Sequence, residues 1–203
     1  MLLRIHPENP AERQIRTVAE CLGDGGVVIF PTDTIYAIGC DIYKPKAVDR
    51  VAQIKGVNKQ KANFSFICYD LSHLSEFTRP LDNAVYKMMR RNLPGPFTFI
   101  LDAGGKVPKI FQSKKKTIGI RVPDNNIARA IVAALGNPIM STSVHDNDEV
   151  LEYTTDPELI HERYANQVDI VIAGGYGDNN PSTIVDCTGP DPLIIREGKG
   201  MLQ

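Results

Sequence analysis

Short apolar runs, too brief for helices and without polar alternation, recur between helix-patterned segments along the whole chain. This rhythm constrains the fold more than any other feature. The run "GVVIFP" (26–31) is β-branched and unalternating, as expected of a strand with both faces covered. "FSFICY" (64–69), "FTFILDA" (97–103), "TIGIRVP" (117–123) and "PIMSTS" (138–143) repeat the form, and "VDIVIAGG", "PSTIVDCT" and "PLIIREG" close the chain with three more strands. Between the first runs the period changes. Ile15, Val18, Ala19 and Leu22 form one apolar stripe, with Asn9 as the expected cap, Pro10 as the first helical residue, Glu12 three positions after Asn9 and Gly23 as the stop. Further helices are expected at 46–56, with Ala47, Val48, Val51 and Ala52 inward, and at 71–77, 82–92, 125–136 and 156–164. Interleaved strands and helices predict an α/β fold, and the strand-rich middle and tail predict a mixed, twisted sheet rather than a purely parallel one.

A chain of 203 residues suits one domain with a core of its own, and residues 1–203 read as a single unit with no second domain. With 42% hydrophobic and 23% charged residues the composition is that of a soluble globular protein. No apolar run approaches the ~20 residues of a membrane span. The start, "MLLRIHPENPAERQ", turns charged too soon for a signal peptide. Cys21, Cys40, Cys68 and Cys187 are far apart and form no C-x-x-C, so they read as reduced thiols of a cytoplasmic protein.

The net charge of −1 conceals an asymmetry. Residues 44 to 121 carry 16 Lys/Arg against 5 Asp/Glu, whereas residues 122 to 203 carry 4 against 13. A basic middle third points to a local anionic partner, nucleotide phosphates or RNA; equally, the two halves could pack together and cancel.

Several strands end in small hydroxyls or arginine, where α/β sheets gather function. "VVIF" runs into Thr32, Asp33, Thr34 and Tyr36; "TIGI" into Arg121; "PIM" into Ser141, Thr142 and Ser143; "LII" into Arg196; and Ser182 and Thr183 open "STIVD". Hydroxyls and convergent arginines make a cradle for phosphate and carboxylate, although a single Ser or Thr at a strand end is more often only a turn-former. Other chemistries lack their spacing. There is no G-x-x-x-x-G-K-[ST], no G-x-G-x-x-G after a strand and no G-x-S-x-G elbow, and the four histidines form no metal-ligand pattern. Ser143 and His145 point the same way along a strand without facing each other, which is poor geometry for a nucleophile and its base.

In order, "GGVVIFPTDTIYAIGCD", "NLPGPFTFIL", "TIGIRVP", "PIMSTS", "PSTIVDCTG" and "IIREG" are similar to the motifs of the YrdC/YciO-type threonylcarbamoyl-adenylate synthase family. The resemblance runs from about residue 10 to the last residues. It implies a mixed α/β fold with a basic concave face that binds tRNA or double-stranded RNA. It also implies an enzyme of tRNA-modification metabolism that joins ATP, L-threonine and bicarbonate into threonylcarbamoyl-AMP, with Mg2+ carried by ATP and no organic cofactor or protein-held metal. Matching motifs place Thr32 and Tyr36 beside the amino acid, Arg121 on its carboxylate, and Ser141 and Ser182 on threonine or the carbamate. Thr117, Ser143 and Arg196 would hold the nucleotide, and Lys55 matches the lysine of the family's Lys-x-Arg element. Thr142 should point the other way, into the core. Lys59, Lys61, Arg90, Arg91, Lys114, Lys115 and Lys116 are the candidate RNA-facing rim, or merely a solvated surface.

Two positions depart from the family's Lys-x-Arg and Ser-x-Asn pair: Val57 stands at the arginine and His145 at the asparagine. Such departures resemble the YciO-like branch. We expect Lys59 or Lys61 to restore the charge and His145 the donor, the catalytic set then being Lys55, Ser143 and His145. Three readings follow: a synthase, an enzyme acting hydrolytically on the adenylate or on modified tRNA, and a nucleotide- or RNA-binding module.

Overall fold

The computed structural model describes residues 1–58, 64–111, 116–144 and 154–203. Its strands are β1 (Leu2–Arg4), β2 (Val28–Phe30), β3 (Ala37–Asp41), β4 (Ser65–Ile67), β5 (Phe97–Asp102), β6 (Thr117–Arg121), β7 (Ile139–Ser143), β8 (Ile170–Ala173), β9 (Thr183–Asp186) and β10 (Leu193–Arg196). They form a ten-stranded sheet in the order β1-β8-β2-β3-β7-β4-β6-β5-β9-β10. The pairs β1/β8, β8/β2, β4/β6 and β5/β9 are parallel and the others antiparallel, so the sheet is mixed, as the strand-rich middle and tail imply.

The helices are α1 (Glu12–Gly23), α2 (Pro45–Ile54), α3 (Leu71–Ser75), α4 (Asn83–Asn92), α5 (Asn126–Leu135) and α6 (Pro157–Tyr164). Strand alternation sends neighbouring side chains to two separate cores. Val28, Phe30 and Ile139 pack with Val18 and Leu22 of α1 and Ile127 and Ile131 of α5. Ile29, Ile38, Phe66, Phe99, Ile120 and Met140 pack on the other face with Val48 and Val51 of α2, Met89 of α4 and Ile160 of α6. All four cysteines are unpaired. Among the described residues no helix is long and apolar enough to cross a membrane.

Three local expectations need correction. Helix α1 begins at Glu12 with Ala11 as its cap, not at Asn9–Pro10, because Glu8 N and Asn9 N both donate to His6 Nδ1 in a preceding turn. Its last helical residue is Gly23, but the left-handed stop is Gly25 (φ 91°) in a Schellman turn, with Gly25 N bonding Leu22 O and Gly26 N bonding Cys21 O. Strands β1 and β3 had no sequence signal. β1 has only three residues, and β3 carries the weak strand formers Gly39 and Asp41. Gly39 is required there, since a Cβ would come 2.7 Å from Ile139 Cγ2.

Candidate functional site

On the face shared with α1 and α5, one band across the sheet is built of small side chains. Register places Gly39 beside Ser141, Ser141 beside Ser65, and Ser65 beside Gly119. Ser65 and Gly119 are only half-buried, and Ser143, opposite Ala37, is exposed. Ser141 Oγ donates to Ser65 O at 3.3 Å. Two residues before Gly119, Thr117 faces the same side, half-buried. The sheet floor here is therefore accessible, while bulky apolar residues close it under the helices.

The turn after β2 forms one wall. Thr32 Oγ1 accepts from Thr34 N at 3.0 Å and donates to Ile35 O at 2.8 Å. Its proton being spent, the 3.1 Å contact between Thr32 Oγ1 and Thr34 Oγ1 is donated by Thr34. Arg121, at the end of β6, donates through Nη2 to Thr34 Oγ1 and Asp33 Oδ1, both at 2.9 Å. Asp33 Oδ2 accepts from Asp124 N at 2.9 Å. The result is a polarised chain from guanidinium through two hydroxyls to a carbonyl. Burial pulls the Arg121 guanidinium below the usual arginine range, Asp33 opposes the shift, and the nearby Arg196 charge adds to it. Arg121 Nε is buried and has no partner among the described residues.

Arg196 forms the second wall. Its Nε and Nη2 donate to Ser182 O at 3.2 and 2.7 Å, and Nη2 also reaches Ser182 Oγ at 3.2 Å. Ser182 Oγ lies 2.8 Å from Thr98 Oγ1 on β5, which runs parallel to β9. Burial lowers the Arg196 pKa as well. Thr32, Asp33, Thr34, Thr155, Tyr176, Gly177, Asp178, Asn179 and Lys199 line a cleft of about 430 Å³. Two cationic side chains and a row of hydroxyls beside a polar cleft suit an anionic, hydroxyl-bearing ligand.

The family model Sua5_yciO_yrdC, described as "Telomere recombination", matches residues 20–198. The chain belongs to the Sua5/YciO/YrdC family. Its sequence is 43% identical to E. coli YciO over 198 residues, covering 97% of this chain and 94% of that protein. The E. coli YciO crystal structure superposes with a TM-score of 0.91 over 99% of this chain and 97% of that one. A threonylcarbamoyl-AMP synthase of Nitrosococcus oceani is 28% identical over 174 residues, 85% of this chain and 92% of its own. P. abyssi Sua5, solved with L-threonine, shares the fold at a TM-score of 0.88 and 24% identity, over 98% of this chain and 57% of that one.

Within this Sua5/YciO/YrdC fold the sequence candidates divide. Thr32 lines the cleft, Arg121 lies behind it on Asp33 and Thr34, and Ser182 and Arg196 are bonded to each other, with the Arg196 charge felt at Arg121; Ser141, Ser143 and Thr117 share the open sheet face. Lys55 is the C-cap of α2, which packs on the other face, and its Nζ lies 3.4 Å from Val144 O just after β7. Val57 is exposed, and Gly56 (φ 62°) makes a second Schellman turn, with Gly56 N on Gln53 O and Val57 N on Ala52 O. Thr142 is half-buried rather than in the core.

Tyr36 does not line the open face. It is fully buried on the opposite side of the sheet, its hydroxyl donating to Gly175 O at 2.6 Å and accepting from Gly174 N at 3.3 Å. Burial raises its pKa to about 12. Arg90 and Arg91 sit on the solvent side of α4, whose Met89 enters the core of the other face, so they point away from the Ser141 row. Lys116 is exposed at the start of β6. His145, Lys59, Lys61, Lys114 and Lys115 lie outside the described residues. Cys68 is a buried core thiol whose pKa burial pushes up. Among the described residues no group of three His, Cys, Asp or Glu side chains converges.

Asp33 and Thr34 were noted after "VVIF" but given no role, and Asp178 and Lys199 were not singled out from the sequence. Asp33 had a usable signal, because an arginine ending a buried strand needs an acid and Asp33 adjoins Thr32. Lys199 had none.

Proposed function

We propose that this chain binds ATP and L-threonine in the cleft between Arg121 and Arg196 and, with bicarbonate, forms threonylcarbamoyl-AMP for tRNA modification in the cytoplasm. The observation that carries this reading is one polar cleft lined by Thr32, Asp33, Thr34, Asp178 and Lys199, with the buried Arg121 bonded to Asp33 and Thr34 of its wall and the exposed Arg196 close enough to lower the Arg121 pKa. Such an adenylation asks little covalent chemistry of the protein. It needs a carbamate oxygen held in line with the α-phosphate and positive charge where pyrophosphate leaves. Ser182 and Arg196 hold the nucleotide side, Thr32 and Thr34 the threonine side, with Ser141, Ser143 and Thr117 along the floor and Lys55 beside the phosphates. Mg2+ enters with ATP, because both carboxylates that line the cleft are paired with cations, Asp33 with Arg121 and Asp178 with Lys199. The synthase of N. oceani and the threonine-bound Sua5 support the substrate assignment. Double-stranded RNA or tRNA contact is assigned to the basic residues Lys59, Lys61, Arg90, Arg91 and Lys114–Lys116, of which Arg90, Arg91 and Lys116 are exposed among the described residues.

The experiment is pyrophosphate release measured with ATP, L-threonine and bicarbonate, each omitted in turn. Release that needs all three supports the synthase; release without threonine, or none, rejects it. Val57 favours a second reading. An exposed valine where the family carries a guanidinium weakens leaving-group stabilisation, and the same pocket would then act hydrolytically on threonylcarbamoyl-AMP or modified tRNA. Liberation of the threonylcarbamoyl group from modified tRNA selects that reading. Salt-sensitive RNA binding without either reaction selects a binding module.

A further inference from the structure

Of the described residues lining the cleft, Lys199 supplies the cation, and it arrives from the segment after β10. Its backbone is fixed. Lys199 N donates to Pro181 O at 2.8 Å, Gly198 N to Thr183 Oγ1 at 3.0 Å, and Thr183 Oγ1 to Gly200 O at 2.6 Å. From that anchor the side chain spans the cleft, Nζ donating to Asp33 O at 2.8 Å and pairing with Asp178 Oδ2 at 2.9 Å. Three distant stretches of sequence thus meet on one ammonium.

The two acids beside it differ. The Asp33 carboxylate is held by Arg121 and by Asp124 N, in a pair whose side chains are 11% and 8% exposed. The Lys199 and Asp178 side chains are 43% and 38% exposed. Ion pairs that wet contribute little, whereas opening a buried pair leaves an uncompensated charge and is costly. The hydrogen bond from Lys199 keeps the Asp178 carboxyl below the usual carboxylate range, so Asp178 competes as an anion at neutral pH. An incoming oxyanion can displace Asp178 at little cost but cannot displace Asp33 from Arg121.

We propose that Lys199 is the exchangeable cation of the cleft, which trades Asp178 for an anionic oxygen group of the substrate, carboxylate or phosphate. The exchange replaces one ion pair by another and breaks no covalent bond. It rests on the reading of this cleft as the substrate site. It also moves the grip on the anion from Arg121 to Lys199, leaving Arg121 to shape the loop whose carbonyl Lys199 touches.

Two probes separate the sources of the anion: N-acetyl-L-threonine, a carboxylate without an ammonium, and inorganic pyrophosphate. Calorimetric titration of the wild type, Lys199→Met and Asp178→Asn tests the exchange. Lys199→Met weakens the responding probe about tenfold or more, the loss of one charge-assisted hydrogen bond. Asp178→Asn tightens it about two- to fivefold, because an exposed competitor has been removed. A bridge that only held the loops together would make both variants weaken binding in parallel. That result, unchanged affinity in either variant, or no binding of either probe by the wild type overturns the proposal. Melting temperatures within about 4 °C of wild type show that the fold is intact, as expected for loss of an exposed pair. If the wild type binds ATP and L-threonine while the variants behave alike, only this inference fails. If it binds neither, the functional reading itself fails.

Discussion

Arg121 Nη2 lies 2.9 Å from Asp33 Oδ1, with both side chains about nine-tenths removed from solvent. This pair joins the end of a central strand to the turn after β2, and so fixes one wall of the cleft. Removing one partner leaves the other as a buried, uncompensated charge. Asp33→Asn therefore destabilises by about 3–5 kcal/mol. In contrast Glu12→Gln, which breaks the exposed Arg16–Glu12 pair, costs less than about 1 kcal/mol. Urea denaturation of the two variants measures the difference directly.

The Arg196 fork serves geometry as much as charge. Lysine keeps the charge but cannot reproduce two parallel donors on Ser182 O and a third contact on Ser182 Oγ. Arg196→Lys should fold normally and lower the rate of threonine-dependent pyrophosphate release about 10²-fold, on the scale of losing one positioned donor. A rate within twofold of wild type would remove Arg196 from the machinery.

Gly119 keeps the sheet floor open. A Cβ there would stand 3.3 Å from both Ser65 Oγ and Thr98 Cγ2, a tight contact that small shifts relieve. Gly119→Val adds branching that suits a strand but fills the accessible row. ATP affinity falls at least tenfold, by about 1.4 kcal/mol, while far-ultraviolet circular dichroism stays native. Unchanged affinity would place the nucleotide elsewhere.

His73 predicts a pH dependence. It is 3% exposed, stacked on Tyr69 at 4.4 Å, and both ring nitrogens are buried without partners among the described residues. Burial lowers its pKa from 6.5, outweighing the upward pull of Glu76 and Asp70, and Lys106 adds to the lowering. The unfolded chain therefore binds the proton more tightly than the native one. This stability is fully present above about pH 6.5 and is lost as pH falls below it toward the depressed native value. His73→Phe should flatten the stability profile across that window; an unaltered slope contradicts the assignment.

Much of this was local enough to read. Thr32, Arg121 and Arg196 stand where apolar runs stop and Ser182 where one begins, and strand ends are where a sheet of this class opens. Tyr36, expected beside the amino acid, lies in the core behind Gly177 of the cleft; its direction depends on β3, a strand whose Gly39 and Asp41 hide it, and on the pairing of Ala37 with Ser143. A one-residue change of register exchanges faces. Arg90 and Arg91 were legible as solvent-facing residues of α4. Which side of the sheet α4 covers follows from the crossover, and no periodicity encodes that. Lys199 is a lone exposed lysine in sequence; only the anchoring of its backbone to Pro181 and Thr183 aims it across the cleft.

Isothermal titration of ATP and L-threonine, singly and together, tests most directly whether strand ends from across the chain build one substrate site. The account predicts one site for each ligand per chain, ATP binding lost on Arg196→Met, and tighter threonine binding when ATP is present. Binding of neither ligand, or ATP binding that is indifferent to Arg196, would contradict it.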